Sequence, residues 1–179
     1  MRRRTVLALV LVLVVVAAVA ITASVTSRAL DRAGDPALAY VAQDQPGAST
    51  PACTSFMAAL PATLAGGQRR QLNAAQPGVA GWGDPAVLVR CGLPNPASFT
   101  CSALLSVVNR VAWFQLDSTD GTTFVAMDRA VRVAVTLPTG VGVSALQEVA
   151  VVVAATLPGT AGPDGAVCRQ GVLPPPAGG

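Results

Sequence analysis

Most of the side chains that enzymes use for nucleophilic or metal-dependent chemistry are missing from this chain. It contains no histidine, which excludes Ser-His-Asp and Cys-His arrangements and the usual zinc hydrolase sites. It also contains no lysine, because all 12 basic residues are arginine. Ser-Lys dyads, Schiff-base chemistry and a P-loop are therefore excluded as well. These exclusions favour a protein that is not an enzyme and that needs no cofactor.

The remaining catalytic possibility needs carboxylates. Glycoside hydrolysis uses one carboxylic acid and one carboxylate. Six acidic residues could supply them: Asp84, Asp117, Asp120, Asp128, Glu148 and Asp164. Asp84 precedes a proline, and Asp117 and Asp120 flank a predicted turn, so these three have a structural use. Glu148 falls in the predicted first turn of a helix, where a negative charge is favourable. We expect structural roles, with a carboxylate-dependent hydrolase acting on a cell-wall polysaccharide as the alternative.

Side chains that could recognise a ligand are concentrated between residues 69 and 113. Arginines can bind a carboxylate or a phosphate through two hydrogen bonds, and tryptophans could form a platform for a sugar or a peptide. The candidates are Arg69, Arg70, Trp82, Asp84, Arg90 and Trp113. Aromatic residues make up only 4% of the chain, so core positions are the alternative for both tryptophans. Solvation, or pairing with an aspartate, is the alternative for the arginines.

Four cysteines, Cys53, Cys91, Cys101 and Cys168, follow the N-terminal region. An even number fits two disulfides, for which three connectivities are possible. We predict the pairs Cys53–Cys91 and Cys101–Cys168, in a compartment that is oxidising. A metal site is the weaker alternative, because the spacings include no C-x-x-C pair and no histidine is available.

The N-terminus has the pattern of a membrane segment. Arg2–Arg4 precede a charge-free run from Thr5 to Ser27, and about 20 apolar residues are enough to span a bilayer as a helix. The arginines should remain in the cytoplasm, which places the rest of the chain outside. The small residues at 18–20 would also fit a signal-peptidase site. We predict a single-pass protein of the cytoplasmic membrane, which would instead be secreted if the leader is cleaved.

The net charge of +3 also belongs to this N-terminal region. Three of the 12 arginines are Arg2–Arg4, so nine remain against the nine acidic residues. A neutral exported part gives no support for nucleic-acid binding. The partners we expect are the lipid bilayer, contacted through the N-terminal helix, and another envelope protein or a cell-wall polymer.

Composition divides the chain into four parts. Residues 1–27 form a cytoplasmic stub and the anchor or signal peptide, and residues 28–52, which lack an apolar period, read as a flexible tether. Residues 53–168 form the exported domain, and residues 169–179 are a tail rich in proline and glycine. The domain is long enough to bury one core.

Helical spacing appears twice in the predicted domain. Phe56, Met57, Leu60 and Leu64 share one helix face, with Thr54 as a possible N-cap and Pro61 ending the helix at Leu60. Near the C-terminus, Ser144 and Gln147 make a capping box in front of an apolar helix, which Pro158 and Gly159 end. A strand is the alternative for the run VAVVV at residues 149–153.

The segments between these helices have strand patterns. Gly83–Pro85 predict a turn that leads into the strand at residues 86–91. Residues 111–126 predict a hairpin, in which Asp120-Gly121 tolerate positive φ. Val131, Val133, Val135 and Leu137 alternate with Arg132, Ala134 and Thr136, as in a sheet with one buried face and the other in solvent. We therefore predict an α+β fold with a small antiparallel sheet of three to four strands and flanking helices, preceded by one transmembrane helix.

The order of these residues resembles a protein family. The matching elements are Cys53, Leu60-Pro61, Arg69-Arg70, Trp82-Gly83-Asp84-Pro85, Arg90-Cys91-Gly92 and Trp113. The pattern is similar to that of DUF3515, an actinobacterial family of membrane-anchored or secreted proteins without an assigned activity, and it covers about Cys53 to Leu137. Arg110–Trp113 stand where the family pattern has Gly-Val-Asp-Trp, and Cys101 and Cys168 are additional to it. The resemblance implies export and adds no catalytic residues.

Together these observations predict a cell-envelope protein that is held at the membrane and works by binding. Its domain would contact its partner without catalysing a reaction.

Overall fold

The structure is a computed structural model that describes residues 13–21, 37–40, 42–73 and 75–160. The chain divides into two compact units, residues 1–36 and residues 37–179. In the first unit, the described residues belong to helix α1, and each of them is apolar and exposed. Among the described residues, no helix combines the length and the apolar character needed to cross a membrane.

Several predicted segments extend beyond what the structure describes. Of the predicted membrane span at residues 5–27, only 13–21 are described, and these are helical. Asp164, Cys168 and the tail at residues 169–179 also lie outside the described residues.

The described part of the second unit is an antiparallel sheet with two helices. The helices are α2 (Pro51–Ala59) and α3 (Ser144–Thr156). The strands are β1 (Thr63–Leu64), β2 (Gly67–Arg70), β3 (Val79–Trp82), β4 (Val87–Leu93), β5 (Ser106–Val108), β6 (Val111–Ser118), β7 (Gly121–Ala126) and β8 (Arg132–Pro138). Their order in the sheet is β1-β2-β3-β4-β8-β7-β6-β5.

The α+β class and the antiparallel sheet are confirmed, but the predicted number of three to four strands is wrong, since the sheet has eight. The strands that were missed lie mostly toward the two edges. β1 has two residues, β2 has the sequence Gly-Gln-Arg-Arg, and β5 has three residues. Segments of two to four residues are too short to show an alternating hydrophobic pattern. They form strands because they pair with a neighbouring strand.

One face of the sheet, which we call the helix face, packs against α2 and α3. Its core includes Trp82 from β3, Trp113 from β6 and Val135 from β8, with Phe56 from α2 and Val149 from α3, all fully buried. The apolar residues alternate along each strand because successive side chains point to opposite faces. This face therefore forms the main hydrophobic core.

The predicted disulfide between Cys53 and Cys91 is confirmed, with an S–S distance of 1.99 Å. It joins α2 to β4 within the core of the helix face. The second predicted pair stays a prediction because Cys168 lies outside the described residues. None of the described cysteines is free.

The opposite face, which we call the loop face, is also covered, although the alternation in residues 131–137 had predicted solvent there. A second cluster includes Phe99, Val125, Met127 and Ala134, and the loop between β4 and β5 contributes Phe99 to it. Arg132, predicted to face solvent, is consequently only 8% exposed. The expectation of a sheet with one buried face is therefore wrong, because a loop covers the second face.

The domain also includes residues that we predicted to be part of a tether. Within the predicted tether at residues 28–52, described residues form hydrogen bonds with β4 and with the segment after β2. Leu38 forms a parallel bridge with Leu72, and its backbone N–H donates to the carbonyl oxygen of Gln71 at 2.7 Å. This segment lacks an apolar period because it pairs through its backbone and its polar side chains.

Gly92, at a bulge in β4, allows this segment to approach the sheet closely. Its φ is +90°, and a Cβ there would lie 2.2 Å from the backbone nitrogen of Ala48. The Gly92 carbonyl accepts a hydrogen bond from the N–H of Gly47 at 2.9 Å. Only glycine fits a position with both a positive φ and such a close backbone neighbour.

Both helices begin at residues other than the predicted caps. In α2 the N-cap is Thr50, whose side chain accepts from the Cys53 N–H, and Pro51 occupies the first turn. Thr54 instead lies inside the helix, where its hydroxyl donates to the Thr50 carbonyl. The predicted end is confirmed, since Leu60 is the C-cap.

The predicted capping box of α3 is wrong. The N-cap is Val143, without a side-chain hydrogen bond, and no acidic residue lies in the first turn. Glu148 therefore does not act at the helix N-terminus. Its carboxylate accepts from the backbone N–H of Ala65 at 3.2 and 3.3 Å, which ties α3 to the turn between β1 and β2.

The predicted hairpin of β6 and β7 is confirmed, with Ser118 paired to Gly121 across the turn. Gly121 has a φ of +148°, and a Cβ there would lie 2.1 Å from the carbonyl oxygen of Leu137. The glycine is therefore required both for its conformation and for the close approach of β8.

Candidate functional site

The two candidate tryptophans lie in the core of the helix face. Trp82 and Trp113 are each 0% exposed. The indole Nε1 of Trp82 donates to the carbonyl of Pro61 at 3.1 Å, whereas the Nε1 of Trp113 is buried without an acceptor among the described residues. Neither ring forms an open platform for a sugar or a peptide.

Three further candidates lie on β2 and in the turn that follows Trp82. The guanidinium of Arg69 lies 5.2 Å from the centroid of the Trp82 ring, a cation–π arrangement. Arg70 donates from Nη1 to the carbonyl of Gly83 at 3.0 Å. Asp84 is exposed in the turn between β3 and β4. These contacts support the turn and the edge of the sheet.

Arg90 lies apart from this group, on the loop face. It pairs with Ala134 of β8 in the register of the sheet, and it is 9% exposed. Its Nη2 donates to the hydroxyl of Thr136 at 3.1 Å, and that hydroxyl is 2.8 Å from the hydroxyl of Thr123. Its Nη1 donates to the side-chain oxygen of Gln43. We call these four residues the Arg90 cluster.

The charge on Arg90 is not balanced by a described carboxylate. Among the described residues, the ion pair found joins Arg129 to Asp128 at 2.7 Å. The Nε of Arg90 is buried and has no described acceptor. Burial lowers the pKa of Arg90, and Tyr40 offsets part of this shift. A buried cation without a counter-ion is costly. The cluster therefore lacks the opposite charge that usually accompanies a buried arginine.

Arg132, also buried on the loop face, shows what a balanced arginine looks like in this protein. Its Nε donates to the side-chain oxygen of Asn95 at 2.7 Å, and its Nη1 donates to the carbonyl of Arg129. Burial lowers the pKa of Arg132, and the nearby charge of Asp128 offsets part of that shift. Arg132 therefore has a structural explanation that Arg90 lacks.

Three of the described carboxylates proposed for hydrolysis have structural partners. Asp128 is buried against Arg129, and Glu148 accepts from the backbone of Ala65. Asp117 accepts from the amide of Gln115 and from a threonine hydroxyl, which together lower its pKa. A general acid needs the opposite shift, toward a higher pKa.

A cavity of about 260 Å³ lies where the hairpin of β6 and β7 meets the loop between β8 and α3. Its walls include Ser118, Thr122, Phe124 and Val141. None of its described lining residues ionises, so they supply no acid or base. In the described part of the chain there is also no group of metal-ligating residues.

Sequence reasoning identified Arg90 but missed its partners. Gln43 lies in the segment predicted to be a tether, and Thr123 and Thr136 lie on neighbouring strands of the loop face. The useful signal was an arginine within the apolar run of β4. Nothing local in the sequence indicates that Gln43 contacts it, because the two residues are 47 positions apart.

These features define an α+β domain with one antiparallel sheet, a disulfide in its core and a buried arginine on the opposite face. The chain belongs to the DUF3515 family of proteins of unknown function, whose family model matches residues 5–161. The match extends beyond the region of Cys53 to Leu137 in which the resemblance was recognised. No curated protein and no solved structure matches the chain.

Proposed function

We propose that this protein is anchored in the cytoplasmic membrane and that its domain binds another envelope protein or a cell-wall polymer outside the cell without catalysing a reaction. The observation that carries the binding role is the Arg90 cluster. A buried guanidinium is expensive to retain, and the described part of the domain gives it no ion pair. Binding a partner with a complementary group would give this charge a use.

Anchoring is supported by the character of the N-terminal region. The described helical residues include Leu13, Val16, Val19 and Ile21, which are between 60% and 67% exposed. A helix that is apolar all round is suited to a lipid environment. Arg2–Arg4 precede it, and positive residues at this position favour the orientation with the following domain outside.

Export is further supported by the disulfide between Cys53 and Cys91. Disulfides persist in oxidising compartments and are rare in the reducing cytosol. Both cysteines are completely buried, as expected for a bridge that stabilises a fold rather than one that exchanges. A domain built around it is therefore suited to the outer side of the membrane.

The binding role is tested by cross-linking in intact cells followed by mass spectrometry of the captured complex. Cells would carry the full-length chain, the variant Arg90→Gln or the control Arg110→Gln, which changes an exposed arginine. We expect a reproducible partner with the wild type and with the control, and its loss with Arg90→Gln. Capture that is equal in all three would contradict the proposed role of the cluster, and no capture would contradict the binding role itself.

Anchoring is tested by comparing Val16→Arg with the conservative control Val16→Leu. A charge near the middle of an apolar helix costs about 2.5–3.5 kcal/mol of insertion free energy. We expect Val16→Leu to remain in carbonate-washed membranes with its C-terminus accessible to external protease, and Val16→Arg to be depleted from them. Protease protection of the C-terminus in intact cells lacking a wall would contradict the proposed orientation.

A further inference from the structure

Gln43 is placed where a ligand of Arg90 would bind. Its side-chain oxygen accepts from Nη1 of the buried guanidinium, yet Gln43 itself is exposed. An amide oxygen resembles one oxygen of a carboxylate in shape but carries no net charge. The exposed end of the cluster is therefore occupied by a neutral group that a charged ligand can replace.

We propose that the Arg90 cluster is a binding site for a single carboxylate group, which displaces the side chain of Gln43 and forms an ion pair with Arg90. The inference rests on the proposed binding function and specifies the ligand chemistry of that site. The carboxylate would accept from Nη1 in place of Gln43. Its second oxygen would remain at the exposed end of the cluster, because the buried Nε–H points away from the edge of the guanidinium on which Nη1 lies.

The charge at the site favours a carboxylate over a phosphate monoester. Arg90 supplies one positive charge, and its other described partners, Thr136 and Gln43, are neutral. The next buried arginine on this face, Arg132, already has its own acceptors. A single positive charge matches a monoanion, whereas a phosphate monoester carries close to two negative charges at neutral pH.

Displacement of Gln43 does not require the surrounding segment to leave the sheet. Gln45, two residues further on, holds the segment through hydrogen bonds from its amide to the carbonyls of Gly78 at 3.3 Å and Cys91 at 3.1 Å. It also accepts from the hydroxyl of Tyr40 at 3.2 Å. Gln45 can therefore fix the backbone while the side chain of Gln43 rotates into solvent.

The site is tested by NMR observation of the Arg90 guanidinium Nη–H signals in the purified full-length chain under non-reducing conditions. N-acetylglycine serves as a peptide-type carboxylate and glucuronate as a sugar-type carboxylate, and acetamide is the neutral control. We expect a saturable downfield shift with at least one of the two carboxylates, and their relative affinity distinguishes a peptide source from a sugar source. An equal response to acetamide, or a response to dimethyl phosphate but to neither carboxylate, would overturn the proposal.

Two substitutions at Gln43 test the displacement, and both change an exposed residue. Gln43→Ala removes the competing amide, so we expect the affinity for the carboxylate that binds to increase about threefold. Gln43→Glu places a carboxylate beside Arg90 within the chain, so we expect the affinity to fall about tenfold or more. Unchanged affinity in both variants would contradict displacement of Gln43.

Arg90→Met should abolish the binding, while Arg110→Met should leave it unchanged. If Arg90→Met does not fold, the comparison of the two Gln43 variants decides the question. If the wild-type chain responds to neither carboxylate but cross-linking still captures a partner, this ligand assignment is overturned and the proposed binding function stays in place.

Discussion

The two faces of the sheet are both buried, but by different means. The helix face packs apolar side chains against two helices and contains the disulfide between Cys53 and Cys91. The loop face is covered by irregular segments, and it buries Arg90 and Arg132 beside a small apolar cluster. Hydrophobic burial explains most of the first face, whereas the second includes charged groups whose burial opposes folding.

This difference supports placing the proposed binding site on the loop face rather than on the helix face. On the helix face the core cluster consists of apolar side chains, whose burial favours folding. On the loop face, Arg132 is engaged by Asn95 and by the carbonyl of Arg129, so it connects the segments that cover the sheet. Arg90 also donates to neutral acceptors, but no described carboxylate offsets its burial as Asp128 does for Arg132, and its Nε has no described acceptor. Arg90 is thus the part of the domain that folding alone explains least.

The test of this contrast with the largest expected effect removes the disulfide of the helix face with the double substitution Cys53→Ala and Cys91→Ala. The bridge closes a loop with a sequence separation of 38, so in the chain-entropy model its loss reduces the free energy of unfolding by about 4 kcal/mol. Chemical denaturation of the full-length chain measures the change. Ser55→Ala, an exposed change in α2, is the control and should stay within about 0.5 kcal/mol.

A decrease of less than about 1 kcal/mol in the free energy of unfolding of the double variant would contradict the role of the disulfide in stabilising the helix face. The helix face would then owe its stability to the helices alone.

The second test asks whether Arg132 is structural. Arg132→Met leaves the side-chain oxygen of Asn95 and the carbonyl of Arg129 without their donor, which we expect to reduce the free energy of unfolding by about 2 kcal/mol. Arg132→Lys keeps the charge but cannot supply the fork of donors, so it should recover only part of the loss. A neutral effect of Arg132→Met would show that the loop face does not depend on Arg132 and would remove the contrast with Arg90.

The third test makes the same change at the other buried arginine. Arg90→Met removes a desolvated charge together with two hydrogen bonds, and these effects oppose each other. We therefore expect a change within about 1 kcal/mol in the free energy of unfolding. Paired denaturation curves for Arg90→Met and Arg132→Met provide the measurement. If Arg90→Met is the more destabilising of the two, Arg90 has a structural role and the contrast within the loop face fails.

The features that sequence predicted are those with local signals. The hairpin of β6 and β7 depends on residues a few positions apart, with Gly121 at a position that requires glycine. The alternation in β8 correctly identified Val133 and Val135 as core residues. The Cys53–Cys91 pair belongs to one of the three disulfide connectivities that four cysteines allow. No local signal in the sequence selects this connectivity over the other two.

The features that sequence missed depend on contacts between distant segments. Arg132 was assigned to solvent because alternation gives the face of a residue but not what covers that face. The loop that buries it carries Phe99, whose ring lies 5.3 Å from that of Phe114 in an edge-to-face contact. Gln43 was assigned to a tether because its segment pairs through polar groups, which leave no hydrophobic period.

The smallest test concerns a polar part of the helix face, beyond the region that the helices cover. Asp117 follows Trp113 by four residues on β6 and so shares its face, but it is exposed. It accepts from the amide of Gln115 at 2.9 and 3.1 Å and from the hydroxyl of Thr122 at 2.9 Å. Hydrogen bonds to the charged form lower the pKa of Asp117, with Gln115 as the larger cause.

The pH dependence that follows has a definite sign. Because the pKa of Asp117 is lower in the folded state, its contribution to stability is present above the pKa of the unfolded chain and is lost as the pH falls through the folded pKa. NMR titration of the Asp117 carboxyl should give a midpoint that rises in Gln115→Ala and, by less, in Thr122→Val. A wild-type midpoint above the ordinary aspartate value would contradict these hydrogen bonds and would support the role of Asp117 as a general acid. We expect the low midpoint, because hydrogen bonds from two donors stabilise the charged form of this carboxyl group, which places Asp117 among the structural residues of the hairpin.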